Sequence, residues 1–118
     1  MKFTAVLATV AALAGSANAF YGQMAASAYE LNEGGNYQVI YLTDYNTGST
    51  YQGTLYGGFN ACTSTECNVG FYETSPGGYD FTAAMWRTSD GCHNIDFNGA
   101  FSAGHGYCCG SLPCDFSA

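Results

Sequence analysis

The sequence predicts an all-β fold, a small disulfide-stabilised antiparallel β-sandwich or barrel built from repeated hairpins. Three observations predict it. One unit of four residues occurs three times. It begins with a β-branched residue, which is followed by an aromatic two positions later, a glycine seven positions after that and an aromatic three positions after the glycine. Six cysteines could crosslink so small a domain, and no segment shows the periodicity of a long amphipathic helix. The copies are Val39, Tyr41, Gly48 and Tyr51; Val69, Phe71, Gly78 and Phe81; and Ile95, Phe97, Gly104 and Tyr107.

The first two copies resemble each other beyond these positions. At the same offset of 30 residues, Leu55 matches Met85, Tyr56 matches Trp86 and Cys62 matches Cys92. Equivalent positions in repeats usually pack in equivalent ways. We therefore expect Tyr56 and Trp86 to belong to the core, and the two cysteines to have equivalent roles.

The first 19 residues have the layout of a secretory signal peptide. Lys2 precedes an apolar stretch at residues 3–14, and a small-residue site ends at Ala19. The stretch is too short to span a bilayer, and no other approaches transmembrane length. The sequence thus predicts a signal peptide over residues 1–19 and one secreted, extracellular β domain over residues 20–118.

The strands are predicted from alternation and from turn residues. Residues 20–31 would tolerate a helix, but we favour a strand. Residues 33–36 form a turn, residues 37–43 alternate as a strand, and residues 49–55 return as the second half of a hairpin. Residues 69–74 and 79–86 make the clearest hairpin, joined at Pro76 and Gly77. Ile95 and Phe97 lie on a last short strand.

Composition limits the possible partners. Arg87 is the one Lys or Arg in residues 20–118, against nine carboxylates, which gives that segment a net charge of −8. Binding to nucleic acid or to anionic lipid depends on Lys and Arg, so we predict neither as a partner. Tyr, Phe and Trp total eighteen in this segment and Leu, Ile and Val total eight. The core is therefore predicted to consist largely of aromatic rings.

The cysteines are predicted to form three disulfides, with the pairing left open. Either Cys-x4-Cys spacing could form a local clasp. A zinc site that also used His93 and His105 lacks the paired spacing of zinc motifs, so we predict no metal and no cofactor. The cysteines are Cys62, Cys67, Cys92, Cys108, Cys109 and Cys114.

Two sets of residues are candidates for function. If the protein is a hydrolase, Glu73 (or Glu66), Arg87, His93 and His105 could supply an acid, a base and an anion clamp. This set resembles that of secreted guanyl-specific fungal ribonucleases, although no histidine precedes position 93. Otherwise Arg87 is expected to form a salt bridge with Asp80 or Asp90.

Exposed rings are the second set. Tyr45, Tyr56 and Trp86 could bind a sugar or a protein surface if they face solvent on a rigid sheet.

The spacing of aromatic, glycine and aromatic resembles the folded hairpin of the βγ-crystallin superfamily, and Phe71-Tyr72-Glu73 is similar to its usual opening. The calcium ligands of that family are absent, so we predict no calcium. As a whole the chain resembles small secreted cysteine-rich, effector-like proteins of filamentous fungi. We expect a secreted, non-enzymatic protein that binds an extracellular protein or polysaccharide, effector-like or toxin-like. A ribonuclease-like hydrolase and a carbohydrate-binding cell-wall protein are the alternatives.

Overall fold

The computed structural model describes residues 20–74 and 79–118. The predicted signal peptide and the predicted turn at residues 75–78 lie outside the described residues. The chain forms nine strands in this part, and two short 3₁₀ turns cover Phe59–Ala61 and Ala100–Ser102. The strands are β1 (Tyr21–Ala26), β2 (Glu30–Asn32), β3 (Gly35–Asp44), β4 (Thr50–Tyr56), β5 (Cys67–Glu73), β6 (Asp80–Arg87), β7 (Cys92–Asp96), β8 (His105–Cys109) and β9 (Cys114–Ser117).

One antiparallel sheet contains all nine strands and curls into a nearly closed barrel. Each strand from β3 to β7 pairs with the one that follows it, β1 and β2 both pair with β3, and β9 pairs with β1. The two end strands, β8 and β9, lie side by side, joined by the Cys108–Cys114 disulfide. The all-β prediction is confirmed. The strand predictions for residues 37–43, 49–55, 69–74 and 79–86 each coincide with an observed strand. The single strand expected over residues 20–31 is wrong, because that range forms two strands, β1 and β2, and the turn expected at residues 33–36 ends where β3 begins at Gly35.

Phenylalanine fills the interior, whereas tyrosine covers the exterior. Six Phe side chains are buried: Phe20, Phe59, Phe71, Phe81, Phe97 and Phe116. Tyr51 is the one tyrosine that is buried, and eight of the ten are 42–69% exposed. A buried phenol needs a partner for its hydroxyl, while a benzyl ring needs none. The prediction of an aromatic core is therefore correct for phenylalanine and wrong for most tyrosines.

The three copies of the repeat do not place equivalent residues on the same face of the sheet. Ile40 and Leu42 of β3 face the core and are fully buried, so Val39 and Tyr41 face outward. In β5, by contrast, Val69 and Phe71 point inward. A shift of one residue moves a side chain to the other face of a sheet. The expected equivalence of the three copies is therefore wrong at β3, and it is also wrong at Tyr107, which is exposed whereas Tyr51 and Phe81 are buried.

Three disulfides form, as predicted. Cys62–Cys67 is a local clasp, Cys92–Cys109 joins β7 to β8, and Cys108–Cys114 joins β8 to β9. The second possible clasp, Cys109 with Cys114, does not form. The expected equivalence of Cys62 and Cys92 is also wrong, because the first closes a loop and the second joins two strands.

One end of the barrel is closed by Phe101. Its ring contacts those of Phe20, Tyr51, Tyr79, Phe81 and Phe97, with centroids 5.0–5.6 Å away. Its φ is +60°, a conformation that bulky side chains rarely adopt. Because strain of this kind persists only where the surroundings impose it, these five ring contacts hold the 3₁₀ turn in place.

Candidate functional site

Three stacked rings form a row on the outer face of the sheet. Trp86 of β6 lies 5.3 Å from His105 of β8 at an interplanar angle of 16°, and His105 lies 5.9 Å from Tyr107 at 27°. These side chains face outward because their neighbours in sequence, such as Met85 and Gly106, are buried inside. We call Trp86, His105 and Tyr107 the ring row.

The central ring is fixed by a buried amide. Asn94 of β7 lies beneath the ring row and is 6% exposed. Its Nδ2 donates to the Cys92 carbonyl and to Thr88 Oγ1, both at 3.4 Å, so its Oδ1 accepts a hydrogen bond from His105 Nε2 at 2.8 Å. The imidazole is therefore oriented before any ligand arrives, which reduces the entropic cost of binding.

A cavity of about 540 Å³ adjoins Trp86, and we call it the loop cavity. Its other walls are the consecutive residues Thr63, Ser64, Thr65 and Glu66. The Cys62–Cys67 disulfide closes this segment into a small ring, and the Arg87 amide donates to the Cys62 carbonyl at 2.8 Å. The loop thus places three hydroxyl-bearing residues and one acidic residue around the same cavity as the indole.

A second cavity, of about 450 Å³, adjoins Tyr107 at the junction of β8 and β9, and we call it the seam cavity. Tyr21, His105, Asp115 and Ser117 contribute side chains to its lining. Tyr45 donates a hydrogen bond of 2.7 Å to Asp115 Oδ1, and this bond, together with burial, raises the pKa of Tyr45. The phenol therefore remains protonated and continues to orient the carboxylate.

The binding candidates occupy three different places. Trp86 packs partly against the core and lines the loop cavity. Tyr45 acts on the seam cavity through Asp115. Tyr56 is 69% exposed at the end of β4, so the expectation that it belongs to the core is wrong. Both Tyr56 and Trp86 nevertheless face outward, as residues at equivalent repeat positions should.

Two of the four hydrolase candidates lie together. Arg87 and His93 are cross-strand partners, and both line a cavity of about 280 Å³ with Gly91, Gly110 and Ser111. Burial, and secondarily Arg87, lowers the pKa of His93. Its Nδ1 is buried without a hydrogen-bond partner in the described part of the chain, and its ring contacts Phe59 at 4.7 Å. No carboxylate lines this cavity.

The other two candidates lie elsewhere. The Glu73 amide bonds to the Tyr79 carbonyl, at the end of β6 opposite Arg87. Eight residues of extended strand separate Tyr79 from Arg87, a distance of about 26 Å. His105 faces outward, whereas its strand neighbour His93 faces the interior. Sequence alone could not show this separation.

Arg87 has no carboxylate partner within residues 20–74 and 79–118. Asp80 lies at the opposite end of β6, and Asp90 accepts hydrogen bonds from the Thr88 hydroxyl and the Cys92 amide, which lower its pKa. The expected salt bridge of Arg87 with either aspartate is therefore wrong.

All six cysteines are in disulfides, and residues 20–74 and 79–118 contain no cluster of three or more His, Cys, Asp or Glu side chains suited to a metal ion. Neither helical turn in that part of the chain is long enough to cross a bilayer.

No protein-family model, curated protein or solved structure matches this chain. Sequence reasoning identified Trp86 and Tyr45 but missed Asn94 and Asp115. The signal that could have indicated the loop cavity is the run of four polar residues enclosed by Cys62 and Cys67.

Proposed function

We propose that this protein is exported and acts outside the producing cell as a non-enzymatic binding protein. Its contact surface is the ring row with the two cavities that flank it. The signal-peptide-like segment and three disulfides support export, because disulfides persist in oxidising compartments. An effector-like or toxin-like role is consistent with such a protein.

The observation that carries this proposal is the outward placement of the rings. Eight tyrosines, Tyr107 of the ring row among them, face solvent with Trp86 and His105, although the interior is already filled by phenylalanine and aliphatic side chains. Tyr and Trp provide a large contact area with few rotatable bonds, and for that reason they are common at binding surfaces. The Asn94 hydrogen bond and the adjacent disulfides add preorganisation.

The hydrolase alternative has weaker support. Arg87 and His93 adjoin one cavity, but Glu73 lies about 26 Å from Arg87 along the strand direction, and His105 faces the opposite side of the sheet. A general acid and a general base must both reach the reacting atoms. Glu66, the alternative carboxylate, lines the loop cavity, whereas Arg87 and His93 line a different one. The set therefore lacks the geometry of one catalytic site.

The test combines a turnover assay with a binding assay on the purified, disulfide-intact protein. RNA, chitin, β-glucan and cellulose are incubated with it, and both bound protein and soluble products are measured. We expect retention on one or more of the polysaccharides but not on RNA, no products from any polymer, and reduced retention for Trp86→Ala and Tyr107→Ala.

The control is Tyr72→Ala, which removes an exposed ring outside both cavities and should leave retention unchanged. The proposal would be contradicted by product release that His93→Ala or His105→Ala abolishes. Retention that responds equally to all three ring substitutions would also contradict it, because the ring row would then have no special role.

A further inference from the structure

We infer that the ligand is a polysaccharide chain whose sugar units carry amino groups. This inference rests on the proposed binding function and specifies its ligand. It is drawn from the chemistry that the two cavities share, from the ring row between them and from the charge of the surface.

The two cavities have matching walls. Each has an aromatic ring, Trp86 in the loop cavity and Tyr107 in the seam cavity. Each also has one carboxylate, Glu66 or Asp115, with hydroxyls from neighbouring residues. A pyranose ring needs this combination, since its C–H face packs on an aromatic ring while its hydroxyls bond to carboxylates and hydroxyls.

The length of the ring row favours an extended ligand over a single sugar. Its rings are spaced 5.3 and 5.9 Å apart, and they connect one cavity to the other along the outer face. His105 covers one face of Trp86, and the remainder of the indole borders the loop cavity. A chain of linked sugars could occupy both cavities at once, and linked contacts strengthen each other through their high effective concentration.

Charge indicates the amino substituent. Residues 20–118 carry nine carboxylates and one Arg, and Arg87 lines a different cavity. No ion pair or hydrogen bond to the Glu66 carboxylate is found within the described residues. An ammonium group beside Glu66 and the Trp86 ring would gain both a charge pair and a cation–π contact. An anionic polymer would be repelled by the same surface.

The experiment measures affinities by calorimetry for glucosamine oligomers, N-acetylglucosamine oligomers of equal length, and oligolysine. We expect the glucosamine oligomers to bind most tightly. Trp86→Ala should weaken that binding roughly tenfold or more, because stacked aromatic anchors dominate such contacts. Trp86→Phe, which keeps a ring, should restore most of it, and circular dichroism verifies that each variant is folded.

The matched charge control separates recognition from general attraction. Glu66→Gln should weaken glucosamine binding roughly two- to fivefold, as expected for a partly solvated ion pair. Glu33→Gln removes the same charge from an exposed turn outside both cavities and should change affinity by less than about twofold.

Three results would overturn the inference, each in a distinct way. If Glu66→Gln and Glu33→Gln reduce the affinity equally and Trp86→Ala does not change it, the oligomers adsorb through net charge only. Tighter binding of the acetylated oligomers or of oligolysine, still sensitive to Trp86→Ala, would assign another ligand class and leave the proposed binding function intact. Cleavage of the oligomers would refute the proposed function itself.

Discussion

Alanine at Gly106 tests how the barrel closes, because this glycine lies where β8 meets β9. A Cβ built at Gly106 would lie 2.5 Å from the Ser117 carbonyl oxygen, 2.9 Å from the Ala118 Cβ and 3.0 Å from Phe116 Cδ2. The nearest of these is a backbone atom, so no side-chain rotation can relieve the clash. The two strands must move apart to accept even one methyl group.

Gly104 provides a matched control two residues earlier. A Cβ there meets no atom within 4 Å, and its φ is not in the positive range. Gly104→Ala should therefore stabilise the protein by about 0.4–1 kcal/mol, since alanine restricts the unfolded chain more than glycine does. Gly106→Ala should destabilise it by about 1–3 kcal/mol, the usual cost of overpacking. The two substitutions are expected to have opposite signs.

Thermal unfolding measures the difference directly. An unfolding entropy of about 2.1 cal/mol/K per residue gives about 0.2 kcal/mol/K for residues 20–118. Gly106→Ala should then lower Tm by about 5–15 °C, and Gly104→Ala should raise it by about 2–5 °C. If both variants melt above the wild type, β8 and β9 do not approach each other as described, and the seam cavity would have a different shape.

Two further predictions concern rings that are partly buried. In the folded protein the pKa of His93 lies below its ordinary value of about 6.5. As the pH falls, the unfolded chain therefore binds this proton before the folded protein does. The free energy of unfolding should then decrease from about pH 6.5 down through the folded pKa. Urea titrations at several pH values should show less of this decrease for His93→Phe; an equal decrease would assign it to other groups. Phe101→Ala should cost about 3 kcal/mol in the same assay. Phe101→Gly, which removes the same ring but accepts a positive φ, should be the more stable of the two; the reverse order would mean that φ at residue 101 is not strained.

The alternation of apolar residues predicted the strands well and their orientation less well. In β3 both faces carry apolar side chains, Val39 and Tyr41 on one and Ile40 and Leu42 on the other. Alternation alone therefore could not decide which face is buried. Aliphatic side chains took the interior because they leave no polar atom to satisfy, whereas a phenol tolerates solvent.

The final strand and part of the site depend on contacts between distant residues. β9 is short and bears Asp115 and Ser117, so its sequence resembles a loop; it becomes a strand by pairing with β1, some ninety positions earlier. The role of Asn94 could not be predicted from the sequence either, because it follows from the position of this side chain beneath His105 on a neighbouring strand. Trp86 and Tyr45 could be named from the sequence as binding candidates, because each is a large ring that needs no distant partner to be recognised, and His105 could be named only as a catalytic candidate.

The placement of the disulfides connects stability to the site. The three crosslinks span sequence separations of 5, 17 and 6 residues, for which chain entropy gives about 2–3 kcal/mol each. A crosslink between β1 and β8 would close a loop of some eighty residues and give about 4–5 kcal/mol. The observed positions are therefore not those that would stabilise the whole chain most.

What the crosslinks share is their location around the ring row. Cys62–Cys67 closes the wall of the loop cavity, Cys92–Cys109 joins the strands that carry Asn94 and Tyr107, and Cys108–Cys114 ties the two sides of the seam cavity. The strands β1 to β4 carry none. Rigidity is thus concentrated where a ligand would otherwise have to order a loop and two strand ends. That arrangement lowers the cost of binding and agrees with a contact surface at the ring row.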